Sequence, residues 1–202
     1  MIAPKKFKIC RRVGDRIFPQ CQSPRFQTAA PVKGKGKRGG NKSDFGTQLT
    51  EKQKIRFAYG ITERQFSNYV TAAREKRGSN TIELLYRSLE MRLDNVVYRL
   101  GFAASRRAAR QMVSHGHITI NGKRVTIPSY HVDTKEVIGV REGSKGSSLF
   151  GNMNEKLKEH RSPEWLLTKS DVLTGEVLGA PSPSEMSASG LNLHAIVEFY
   201  SR

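Results

Sequence analysis

Cysteine is scarce in this 202-residue chain, which has only Cys10 and Cys21. Two thiols cannot build the disulfide framework of a small secreted domain, so the sequence suits a reducing compartment. No run approaches the ~20 apolar residues that span a bilayer, and the N-terminus lacks the apolar stretch of a secretory signal. Gly14, Pro19 and Pro24 interrupt any long amphipathic helix there, which argues against a transit peptide. Walker A, zinc-hydrolase and nucleophile-elbow patterns are all missing, so no enzymatic activity is expected. There is no internal repeat.

Acidic residues are also few, 18 against 35 Lys and Arg, for a formal charge of +17. Such an excess calls for a polyanionic partner, nucleic acid before an anionic membrane. Its placement is uneven. Residues 1–42 hold 12 Lys/Arg and one acid, Asp15, and residues 91–125 hold seven and one, whereas residues 126–202 carry a net −2. A solubilising surface would spread its charge, so the sequence points to two basic surfaces. Apolar residues make up 37% of the chain, enough for one or two modest cores.

Residues 1–47 show no periodicity, carry four prolines and contain the run Lys33-Gly34-Lys35-Gly36-Lys37-Arg38-Gly39-Gly40. They read as an extended basic arm that orders on its partner, with glycines letting the backbone approach phosphates. Helical signals follow. Thr50 with Gln53 fits a capping box closed by Gly60, and Thr62 with Gln65 opens a helix whose stripe is Phe66, Tyr69, Val70 and Ala73. Gly78 is its expected stop. Asn80 with Glu83 opens the next helix, with Ile82, Leu85, Tyr86 and Leu89 on its apolar face.

The segment from residue 92 is the most informative. Leu93, Val96, Val97 and Leu100 share one face of a short helix stopped by Gly101. Ser105 then caps a second helix that ends at Gly116. On that helix Arg106, Arg107, Arg110, Gln111 and Ser114 fall in one arc of roughly 140°, and Ala108, Ala109, Met112 and Val113 in another. One face packs; the other offers guanidinium groups without acidic partners at helical spacing. Ile118 and Ile120, then Asn121-Gly122, then Val125 and Ile127 predict a hairpin whose turn leads into Lys123 and Arg124. Glu136–Arg141 reads as a further strand. Ser162-Pro163-Glu164 reads as a cap, first-turn proline and acid leading a helix through Trp165-Leu166-Leu167. Pro181 and Pro183 mark a loop. Leu193, Ile196, Val197 and Tyr200 fit a final helix, while Leu193, Ala195, Val197 and Phe199 fit a strand; the helix is preferred.

Arg92-Leu93-Asp94-Asn95-Val96-Val97-Tyr98-Arg99, together with Ala108 through His117 and on to Val125, closely resembles the RNA-binding module named after the ribosomal protein S-four family. That module also occurs in pseudouridine synthases, a tyrosyl-tRNA synthetase and a heat-shock protein, so alone it implies RNA binding and no more. Ser43-Asp44-Phe45-Gly46, Gln48 through Lys54, Arg64 through Tyr69 and the C-terminal Val197 through Arg202 extend the resemblance to the bacterial or organellar S-four family over residues 5–202. The resemblance implies an α+β protein: a helical domain with an inserted module of helix-turn-helix and small β-sheet, plus an extended basic N-terminal arm. The expected divisions are 1–47 for the arm, 48–91 with 160–202 for the helical domain, and 92–159 for the module.

It further implies a structural component of the small ribosomal subunit that binds the 5′ domain of its rRNA early in assembly. Contact with ribosomal protein S-five, an effect on decoding accuracy and a position near the path by which mRNA enters follow by the same route. The expected location is the cytoplasmic ribosome, or that of an organelle. The alternatives are an RNA-modifying enzyme or an RNA-binding accessory protein sharing the module, and a basic membrane-surface protein.

Candidate RNA contacts are Arg11, Arg12, Lys35, Lys37, Arg38 and Lys42 on the arm, and Lys52 and Lys54 in the helical part. In the module they are Arg92, Arg106, Arg107, Arg110, Gln111, His115, Asn121, Lys123 and Arg124. RNA is preferred to DNA because shape and 2′-hydroxyl recognition suit such a face. Where many family members carry Pro-Gly-Gln-His-Gly, this chain has Val32-Lys33-Gly34-Lys35-Gly36, and the basic run that follows is diluted to Arg38-Gly39-Gly40-Asn41-Lys42. Some members hold zinc on four N-terminal cysteines. Cys10 and Cys21 supply only two ligands, so neither zinc nor another cofactor is expected.

Overall fold

The computed structural model describes residues 6–14, 17–24, 26, 43–76, 79–169, 171–182, 185 and 190–201. Lys35, Lys37, Arg38 and Lys42, the helix stop at Gly78 and the loop proline Pro183 lie outside them. Among the described residues there are eight α-helices and one five-stranded antiparallel sheet, an α+β fold. No helix among them is long and apolar enough to cross a membrane. The chain divides into two compact units, residues 1–77 with 190–202, and residues 78–189.

The first unit is helical. Helix α1 (Lys6–Val13) buries Cys10 and Val13 and ends at Gly14, whose φ of 80° suits a residue without a side chain. A 3-10 turn at Pro19–Gln22 follows, and Cys21 within it is buried. Lys6–Val13 and Pro19–Gln22 are therefore helical, with Cys10, Val13 and Cys21 buried, where the composition predicts an extended arm. A few apolar residues on one side of a single short helix escape a search for long periodicity. Helix α2 (Asp44–Tyr59) starts six residues before the expected Thr50 box, because Ser43 caps it by accepting from the Gly46 N–H. Thr50 lies inside the helix, with its hydroxyl on the Gly46 carbonyl at 2.7 Å. Gly60, at φ 64°, stops the helix as expected.

Thr62 caps α3 (Glu63–Glu75), and Phe66, Val70 and Ala73 are its buried stripe. The final helix, α8 (Leu193–Phe199), packs on α2 through Leu193 and Ile196. Beside it the Lys52 ammonium binds the Glu63 carboxylate at 2.6 Å and lies 4.4 Å from the Phe199 ring centre. The Tyr200 hydroxyl donates to the same carboxylate at 2.9 Å. Burial pushes the Glu63 carboxyl up, but the hydrogen bonds from Lys52 and Tyr200 outweigh it and hold the group below its ordinary range. A carboxyl lowered on folding stabilises above its unfolded pKa, and that contribution disappears as pH falls through the folded value. Urea titrations followed by far-ultraviolet dichroism should therefore show stability dropping below pH ~4.3, the ordinary glutamate value. Glu63→Gln should flatten that drop, and an unchanged pH profile would refute the assignment.

The second unit contains α4 (Thr81–Glu90), capped by Asn80, then α5 (Leu93–Arg99) and α6 (Arg106–Ser114), capped by Ser105. The hairpin β1 (Ile118–Ile120) and β2 (Lys123–Arg124) turns through Asn121 and Gly122 with φ of 49° and 79°, as Asn-Gly predicts. Strand β2 stops at Arg124, so Ile127 is exposed rather than paired. Strand β3 (Val137–Val140) pairs with β1, as expected for Glu136–Arg141.

Helix α7 (Met153–Glu159) leads to β4 (Leu166–Lys169) and β5 (Thr174–Val177), and the sheet order is β2-β1-β3-β5-β4. The helix expected through Trp165-Leu166-Leu167 is thus a strand. Leu166 points into the core and Leu167 out of it, and β4 pairs along its length with β5. Residues 166–177 consequently belong to the sheet unit.

The core of this unit joins Leu93, Val96, Val97 and Leu100 of α5 to Ala109 and Val113 of α6 and to Ile118, Ile138 and Val177 of the sheet. Gly175 allows β5 to pass close to α5, since a side chain there would collide with the Leu100 methyls. Gly175→Val should cost about 1–3 kcal/mol through overpacking. The single tryptophan, Trp165, is buried in this unit, so its fluorescence in urea measures the loss. An unshifted midpoint would contradict the packing.

Candidate nucleic-acid interface

Helix α5 buries two polar residues beside its apolar face, Asp94 at 2% exposure and Asn95 at 1%, and the last residue of α4, Glu90, is at 0%. Carboxylates almost never sit there unless paired, and arginines pair both. Asp94 receives Nε and Nη2 of Arg92 at 3.0 and 2.9 Å and, on Oδ2, Nε and Nη2 of Arg110 at 2.8 and 2.6 Å. Glu90 receives Nε and Nη2 of Arg99 at 2.9 and 2.8 Å. The Asn95 amide donates to Glu90 Oε2 at 2.8 Å and to the Glu90 carbonyl at 2.9 Å. The oxygen of that amide accepts from Arg106 Nε at 2.6 Å. Arg106 also stacks 4.7 Å from the Tyr98 ring centre and stands 4.0 Å from Glu90 Oε1.

The basic face of α6 has no acid at helical spacing, as its sequence shows, yet it is not without acidic partners. None lies on α6, but α4 and α5 bring two across to it. Arg92, expected among the RNA contacts, has a side chain 3% exposed and committed to Asp94, which braces the site from within. Arg99 was missed, although Asn95 and Arg99 stand at i, i+4 spacing on α5, the one signal that places them together.

Arg107 and Gln111 occupy the neighbouring stripe of α6, exposed, and His115 follows at the helix end. On the hairpin Lys123 and Arg124 are both exposed. Arg107 and Lys123 make no ion pair with any described residue. The Arg124 guanidinium lies directly over Gly116, whose φ is 76°, and donates to the His115 carbonyl at 3.3 Å. The hairpin is thereby tied to the end of α6. Asn121 serves the turn, its side-chain oxygen accepting from the Val137 N–H at 2.9 Å. His117 is half-buried, and its Nδ1 hydrogen bonds with the Ser144 hydroxyl at 3.0 Å.

In the other unit Arg11 and Arg12 are exposed on α1, with Arg11 5.7 Å from the Phe26 ring centre. Lys52 is 7% exposed and held by Glu63, and Lys54 pairs with Glu51 at 3.0 Å. Both lysines are therefore engaged within the fold. Cys10 and Cys21 are buried free thiols. Burial, followed by the hydrogen bond and charge of Cys10, pushes the Cys21 thiol up to about 11, which makes it a poor thiolate donor near neutral pH. Among the described residues no three His, Cys, Asp or Glu side chains group as metal ligands.

A helix pair and a hairpin that hold guanidinium groups in fixed positions define a polyanion-binding α+β protein. Residues 91–138 match the family described as S4 domain, and residues 3–90 match the ribosomal protein S4/S9 N-terminal domain. The chain is similar to small ribosomal subunit protein uS4 of Koribacter versatilis, 42% identical over 202 residues and 96% of each chain. It is also similar to the protein of that name from Syntrophomonas wolfei, at 43% over 96% of this chain and 95% of the relative. The one from Chloroflexus aurantiacus is 48% identical over 79% and 78%. The chain belongs to the bacterial-type uS4 family.

Proposed function

We propose that the protein is a structural component of the small ribosomal subunit that binds the 5′ domain of its rRNA through the α5–α6–hairpin face. The observation that carries this reading is the set of cations on α6 and the hairpin tied to its end: Arg106 and Arg110 held by a buried scaffold, with Arg107, Lys123 and Arg124 exposed beside them in sequence. Most of its contacts meet phosphates, which supply affinity and positioning. Early binding there nucleates assembly, and contact with protein S-five links the molecule to decoding accuracy. The same reading gives Arg38 and Lys42, which lie outside the described residues, a role at the mRNA path. On this reading the unit of residues 78–189 binds the RNA, and the helical unit of residues 1–77 with 190–202 accompanies it. The protein has no catalytic function and resides in the ribosome.

Binding of the intact chain to a 5′-domain rRNA fragment, compared with an unrelated folded RNA at equal salt, tests the reading. Preferential binding with a steep salt dependence is expected from counterion release. Equal affinity for both RNAs, or chemical modification of either, would overturn it in favour of a general binder or a modifying enzyme.

A further inference from the structure

We infer that Glu90 and Asp94 are positioning residues which set the selectivity of the face by holding its arginines in one pattern. The inference rests on the RNA-binding reading above. Two acids on a surface that meets phosphates oppose the ligand electrostatically, and buried ion pairs are weak contributors to stability compared with well-packed apolar groups. Yet both carboxylates are buried, and four guanidinium groups converge on them. Arg92 is sealed in with Asp94, whereas the side chains of Arg99, Arg106 and Arg110 keep 28%, 22% and 29% of their surface. Asn95 links the two centres, since it bridges Glu90 to Arg106.

Each arginine of this group is thus fixed from within while part of its surface faces outward. Arg99 grips both oxygens of Glu90, Arg110 sets two nitrogens on one oxygen of Asp94, and Arg106 lies between the Asn95 oxygen and the Tyr98 ring, so each planar guanidinium has one orientation, which a lysine ammonium would not have. An array ordered beforehand loses less side-chain freedom on binding than loose cations do. It also discriminates by geometry, because only an RNA whose backbone places phosphates at matching positions satisfies all three outer arginines. Arg107 and Lys123, outside the carboxylate network, add attraction that any RNA receives.

The two kinds of cation separate in one experiment. The intact chain is titrated with a 5′-domain rRNA fragment and with an unrelated folded RNA of equal length, at several salt concentrations. Glu90→Gln adds one positive charge to the face, and Arg106→Lys keeps the charge but loses the planar fork. Each is expected to weaken binding to the fragment on the order of tenfold, the effect of one lost charged hydrogen bond. Affinity for the unrelated RNA should hold or rise, so the ratio of the two falls. Tighter binding of both RNAs by Glu90→Gln, or an unchanged ratio in both variants, would overturn the inference and leave the acids a stabilising role alone. Asp94→Asn is a third arm, read only where Trp165 fluorescence shows it folded; the first two variants decide the matter without it. A wild-type chain with no preference for the fragment defeats the functional reading itself, and this inference with it. A wild-type preference that the variants leave intact defeats only the inference.

Discussion

Arg107→Glu with Lys123→Glu is expected to weaken binding of the 5′-domain rRNA fragment by on the order of 100-fold while leaving the fold intact. Each lost phosphate contact removes about one unit of salt slope, so the log–log dependence on salt should become shallower by about two, and reversal adds repulsion. Both side chains are exposed and make no ion pair with a described residue, so the melting temperature should stay within the small range of ordinary surface substitutions. Reversing Arg106 and Arg110 would confuse the result. Glutamate at 110 would face the buried Asp94, and the loss of binding would then report unfolding. Filter binding across a salt series, with melting measured on the same samples, checks the prediction. Full affinity in the double variant would remove the α6–hairpin face from consideration.

Arg92→Met carries the largest expected loss of stability. Arg92 and Asp94 are each 3% exposed in their side chains, and breaking a buried pair by removing one partner costs about 3–5 kcal/mol. Arg110 still holds Asp94, so the lower part of that range is expected. Adding Asp94→Leu should recover part of the loss, because the carboxylate left without its buried partner is then gone as well. Urea unfolding read from Trp165 distinguishes these outcomes. A double variant no more stable than Arg92→Met would show that the cost comes from packing rather than charge.

Local chemistry made much of the fold legible. Ser105, Thr62 and Asn80 cap helices where a short polar side chain precedes an apolar stripe, and Asn121-Gly122 turns the hairpin in the left-handed region. The stripe of α5 is the core, every member at 0% exposure. What escaped was non-local. Residues 163–169 carry a good helix start, but Leu166 and Thr168 pair with β5 across a turn that includes Leu173 at φ 53°. The glycine that lets β5 approach Leu100 is a poor strand former by itself. The site shows the same division. Summing charge by block located the basic face, but it could not show that Glu90 and Asp94 fold against it, nor that Arg92 and Lys52 turn inward. The ribosomal setting came from the resemblance, not from periodicity or charge.

The sheet ends on one side at β2, and this bears on life before the partner arrives. A newly made chain with an open strand edge invites the strands of other copies to add to it. Here the edge is two residues long, and both side chains are exposed cations. Two copies that approach through it offer each other little backbone to pair with and meet like charge. Lys123 and Arg124 are thus expected to oppose edge-to-edge association of the unbound chain. Their replacement by threonine should show as turbidity of the unbound protein, even where the folded monomer is as stable as before.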